Sequence, residues 1–71
     1  MATFIKYKNF EYNLEMLTQV GHEEDKDYET TYLSFQNESQ DITMKQIKDN
    51  RDKEMDQFIA AIENFIRHNR I

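Results

Sequence analysis

Five carboxylates fall within the seven residues Glu23-Glu24-Asp25-Lys26-Asp27-Tyr28-Glu29. Carboxylates at that density can hold a hard cation, imitate a row of phosphates, or keep a loop in water. A calcium loop of the EF-hand type beginning at Asp25 would need glycine at position 30 and glutamate at position 36, where the chain has Thr30 and Gln36. No dedicated metal site is expected. Phosphate imitation fits better. Duplex DNA presents one negative charge per roughly 1.7 Å of axis, and DNA-binding proteins meet it with Lys and Arg. A short acidic run can occupy that basic surface instead. Glu38 and Asp41 in a following turn, with Glu11 and Glu15 on a strand face, would broaden the patch, and Tyr28 and Tyr32 would add contact area. The plainer reading is a solvated tip that keeps a small protein soluble.

Other chemistry finds little support. His22 and His68 lie far apart among polar neighbours and lack the paired spacing of a zinc site. His68 sits where a helix C-terminus would favour a cation. The single glycine, Gly21, excludes glycine-rich phosphate loops, and no Cys nucleophile or Gly-x-Ser-x-Gly elbow exists. A two-carboxylate hydrolase needs a cleft that raises one pKa by burial, which so small a domain rarely offers. The chain therefore reads as non-enzymatic, with no cofactor. Lys6-Tyr7-Lys8 interleaves basic and aromatic groups, and with Tyr28 and Tyr32 it could form a single-strand stacking platform. The acidic run would repel the phosphate backbone, so direct nucleic-acid binding is not the expectation.

The elements that must position these residues follow from periodicity. Residues 3–8 read as an edge strand guarded by lysines. Phe10, Tyr12, Leu14 and Met16 alternate with polar residues, so 10–20 reads as one strand, with a bulge near Leu17 where the alternation breaks. Gly21 to Asp27 reads as a turn and 28–36 as a second strand, together a long hairpin with an acidic tip. The segment 42–47 could be a fourth strand or the start of a long helix. The polar stretch Lys48 to Glu54 would interrupt a helical stripe, which favours the strand. Met55, Phe58, Ile59, Ile62, Phe65 and Ile66 then recur at helical spacing, with Asp49 or Asn50 capping a helix over about 50–69.

The expected fold is α+β: a small antiparallel β-sheet of three to four strands packed against one C-terminal α-helix, as a single domain over 1–71. Its core should comprise Phe10, Tyr12, Leu14, Met16, Leu33, Phe35 and the six apolar residues of the helix. Ile5, Tyr7, Tyr28, Tyr32 and Ile71 are left without an obvious place inside.

At 71 residues such a chain buries only about 60% of its unfolded surface. A homodimer that extends the core is a reasonable expectation, with the apolar surplus around Ile66 and Ile71 contributing. No Cys, no signal-peptide pattern in Met-Ala-Thr-Phe-Ile-Lys-Tyr-Lys and no membrane-spanning run together suggest a cytoplasmic protein without a membrane partner. The net charge of −5 is uneven: residues 1–20 sum to zero, 21–30 to −4, 31–41 to −2 and 42–71 to +1.

In size, composition and the acidic segment 23–41, the chain resembles the small, acidic, cysteine-free proteins that bacteriophages use in host takeover, including DNA mimics. That resemblance implies a stoichiometric inhibitor in the host cytoplasm. Its partner would be a basic host DNA-binding protein, such as a nucleoid-associated protein. Under this expectation Glu23, Glu24, Asp25, Asp27, Glu29, Glu38 and Asp41 supply the acidic contacts, and Tyr28 and Tyr32 the aromatic ones. The alternatives are an assembly module using the tyrosine-bearing sheet face, or a weak single-strand nucleic-acid binder.

Overall fold

The computed structural model describes residues 3–69 as two compact units, one formed by the segment up to Glu15 with the segment from Lys53, the other by Met16–Asp52. The fold is α+β, with two antiparallel sheets of two and three strands and one C-terminal helix.

In the first unit, β1 (Phe4–Tyr7) and β2 (Phe10–Asn13) form a hairpin closed by Lys8 and Asn9. Lys8 has φ 57°, a left-handed conformation that two-residue hairpin turns demand and that favours glycine. The register Ile5↔Tyr12 and Tyr7↔Phe10 puts these four residues on one face of the hairpin. Helix α1 (Lys53–Asn69) meets that face: Phe58 stacks on Tyr7 with ring centroids 4.7 Å apart and meets Tyr12 at 5.5 Å. Glu54 and Asp56 lie in the first turn of α1 and Arg67 and His68 in its last, each complementing the helix dipole. The helix begins three residues later than its polar lead-in suggests, so Asp52, not Asp49 or Asn50, takes the capping position.

The second unit is a sheet of order β3-β4-β5, with β3 at Leu17–Glu24, β4 at Tyr28–Phe35 and β5 at Ile42–Ile47. The ambiguous segment 42–47 is thus a strand. Glu29, Thr31, Leu33 and Phe35 of β4 share an inner face with Ile42, Met44 and Gln46 of β5. Thr31, Leu33, Phe35, Met44 and Gln46 are all buried. Tyr28, Thr30, Tyr32 and Ser34 line the outer face.

Three expectations are corrected. The strand 10–20 is broken by a 3-10 turn at Leu14–Met16, so 10–13 pairs with β1 and only 17–24 pairs with β4. Phe10 therefore lies at the end of a short hairpin, 66% exposed, and is not core, while Tyr7 is buried under Phe58. Gly21 is no turn: it sits inside β3 opposite Tyr32, whose ring would be in ordinary 3.9 Å contact with an added Cβ. The bulge does occur, as a register shift between Leu17 and Gln19. Of the remaining core candidates, Leu14, Leu33, Phe35, Phe58 and Ile62 are buried, and Tyr12, Met16, Met55, Ile59, Phe65 and Ile66 half-buried. Ile71 lies outside the described residues.

Candidate interaction surface

The acidic run occupies the tip of the β3–β4 hairpin, where Glu24 and Glu29 form the last cross-strand pair. Two like charges facing each other there would be unfavourable without compensation. Compensation comes from the residues after β5. Lys48 pairs with Glu24, and the Arg51 guanidinium reaches both carboxylate oxygens of Glu29. The Lys48 N–H donates to the Asp27 carbonyl at 2.9 Å, which fixes this segment beside the tip.

Asp25 builds the turn itself. Its Oδ1 accepts the N–H groups of Tyr28 at 2.8 Å and Asp27 at 2.9 Å, and the Asp25 N–H donates to the Tyr28 carbonyl at 3.0 Å. Those backbone donors, Tyr28 first, favour the ionised form and hold this carboxyl below the usual aspartate value. An Asx turn of this kind is the reason Asp suits the position.

The outer face carries a different set. The Tyr32 hydroxyl donates to Glu23 Oε1 at 2.8 Å, which pushes the phenol pKa up. The Ser34 hydroxyl donates to Asp41 Oδ1 at 2.8 Å. Toward the tip, Tyr28 is 38% exposed and its cross-strand neighbour Ile47 46%, with Lys45 Nζ 4.6 Å above the Tyr28 ring centroid. Glu23, Asp27, Glu38 and Asp41 are exposed. His22 lies on the inner face, its Nδ1 3.3 Å from the Thr31 hydroxyl.

The anticipated acids thus fall into groups. Glu24 and Glu29 face inward at the tip and are ion-paired. Asp25 turns back on its own backbone. Glu23 and Asp41 belong to the outer face beside Tyr32 and Ser34, while Asp27 and Glu38 lie in the two loops. Composition and periodicity do not single out Lys48, Arg51, Lys45 or Ile47. Their signal was available: once 42–47 pairs antiparallel with 28–33, the residues after Ile47 must arrive beside the acidic tip.

The whole net charge belongs to this unit. Residues 16–52 hold nine Asp/Glu against four Lys/Arg, a net of −5, and the rest of the chain holds five against five. Among the described residues no three His, Cys, Asp or Glu come together to hold a metal ion, and no helix is long and apolar enough to cross a membrane. Comparison with known proteins returns no matching family model, no matching curated protein and no matching solved structure.

Proposed function

We propose that the chain is a non-enzymatic inhibitor that occupies the basic DNA-binding surface of a host protein, such as a nucleoid-associated protein, in the cytoplasm. The observation that carries this reading is the confinement of the entire −5 charge to the three-stranded unit, around a hairpin tip that Asp25 holds in one shape. A rigid acidic projection loses less freedom on docking than a mobile one. Glu23, Asp27, Glu38 and Asp41 provide the charge a basic groove would meet, Asp25 adds its own, and Tyr28 and Tyr32 provide contact area next to it. Glu24 and Glu29 act chiefly through the shape of the tip, because their charges are already balanced by Lys48 and Arg51.

The test is capture from a bacterial lysate on the immobilised chain, eluted by a salt gradient. Basic DNA-binding proteins should elute late, duplex DNA should compete them off, and the triple variant Glu23→Lys/Asp27→Lys/Glu38→Lys should capture none of them while keeping its fold. Capture that survives the triple reversal, or that DNA leaves untouched, sinks the reading. The exposed pair Tyr28 and Ile47 favours one rival, an assembly module using the outer face. That rival requires association insensitive to salt and weakened by Tyr32→Ala.

A further inference from the structure

The strand β5 forms one edge of the three-stranded sheet, and among the described residues no strand pairs with its outer side. The opposite edge, β3, is a poor template for pairing. Its register breaks between Leu17 and Gln19, and its far end carries Glu23 and Glu24. By contrast, β5 keeps unbroken register with β4 from Ile42 to Ile47. Its alternation is fixed by that register: Ile42, Met44 and Gln46 belong to the inner face, Thr43, Lys45 and Ile47 to the outer. Asp41, immediately before it, takes the Ser34 hydroxyl and so continues the outer set.

We propose that β5 pairs antiparallel with β5 of a second copy, centred on Thr43, to give one continuous six-stranded sheet. A two-fold axis perpendicular to the sheet sets inner residues against inner and outer against outer, which leaves few central registers. Centring on Lys45 places that lysine against itself. Centring on Met44 pairs that methionine with itself but sets Lys45 against Thr43, Ile42 against Gln46 and Ile47 against Asp41, so the lysine meets no opposite charge and neither isoleucine meets an apolar partner. Centring on Thr43 sets Lys45 of each copy against Asp41 of the other, Ile42 against Met44 twice, and Thr43 against Thr43. Opposite charges, apolar pairs and threonine pairs are the combinations that stabilise facing strands. The contact uses the same patch on both copies, so it closes at two and consumes the β5 edge of each. A ladder of five residues is a small interface, so the dimer should dissociate in the micromolar range. The pairing shares only Asp41 with the proposed acidic surface: it can fail with capture of basic proteins through Glu23, Asp27 and Glu38 intact, and the reverse.

The chain has no Cys, so Thr43→Cys can form a disulfide only between copies. Under mild oxidation this variant should become a covalent dimer with an unchanged circular dichroism spectrum, while Thr30→Cys on the central strand should stay monomeric. Sedimentation should show the parent chain passing from monomer to dimer with concentration. Lys45→Asp should weaken that equilibrium about tenfold or more, because two attractive pairs become repulsive. The swap Asp41→Lys/Lys45→Asp should restore it, which separates a pairing effect from damage to the fold. A parent chain monomeric into the submillimolar range, a swap no tighter than Lys45→Asp alone, or equal cross-linking through Thr30→Cys would overturn the proposal.

Discussion

Asp25 closes the β3–β4 hairpin with one carboxylate oxygen that takes two backbone N–H groups. In the unfolded chain that oxygen meets only water, so the pKa is ordinary there and lower in the fold. A carboxyl depressed on folding stabilises the protein fully above its unfolded value of 3.8, and loses that contribution as pH falls through the folded value. The hairpin should therefore weaken below about pH 4 and be insensitive to this group at neutrality. Asp25→Asn keeps the accepting oxygen and removes the titration, so urea midpoints measured from pH 6 to 2 should fall less steeply than in the parent. Asp25→Ala removes the acceptor and should lower the midpoint at every pH. An acid limb unchanged in Asp25→Asn would assign the acid sensitivity to other groups.

At the scale of elements, the hairpin β1–β2 and helix α1 turn on which aromatic residue is inside. Tyr7 is 8% exposed and Phe10 66%, although they face each other across the hairpin. Tyr7→Ala should cost about 3 kcal/mol or more by opening a cavity against Phe58, whereas Phe10→Ala should cost under about 1 kcal/mol. Chemical denaturation of the two variants checks the contrast, and equal losses would contradict it. Periodicity alone pointed the other way, because Phe10, Tyr12, Leu14 and Met16 alternate cleanly. Alternation records which side a residue takes only while the strand continues, and the 3-10 turn at Leu14–Met16 ends it. Where spacing is long-range and regular the pattern was readable, as in Thr31, Leu33 and Phe35 of β4 and the stripe of α1. The strand 42–47 was readable for another reason: the polar gap after Ile47 leaves a continuous helix with nothing to bury. The acidic tip was legible as composition, but its internal compensation was not. Which cation meets which acid depends on the pairing of β4 with β5, whose partners run from Leu33↔Ile42, 9 residues apart, to Tyr28↔Ile47, 19 apart.

Across the whole molecule, charge is divided in a way that composition conceals. The unit of residues 16–52 carries −5 and the remainder none. Within that unit, Glu24 and Glu29 hold cations, while Asp27 and Glu38 project from the two loops. A surface ion pair contributes at most about 1 kcal/mol and fades as salt screens it. Excess like charge opposes the compact state by self-repulsion, which salt also relieves. These two effects give reversals of opposite sign. Glu24→Lys and Glu29→Lys turn an attraction into a repulsion beside Lys48 or Arg51. They should each lower stability by about 0.5–1 kcal/mol at low salt, with the loss shrinking in high salt. Among the described residues Asp27 and Glu38 meet no such cation, so Asp27→Lys and Glu38→Lys reduce the net negative charge and should be neutral or slightly stabilising at low salt. Urea denaturation of the four variants at two ionic strengths reads both effects directly. If all four reversals cost the same, the division between structural and projecting acids fails, and with it the reason for expecting a partner to meet Asp27 and Glu38 first.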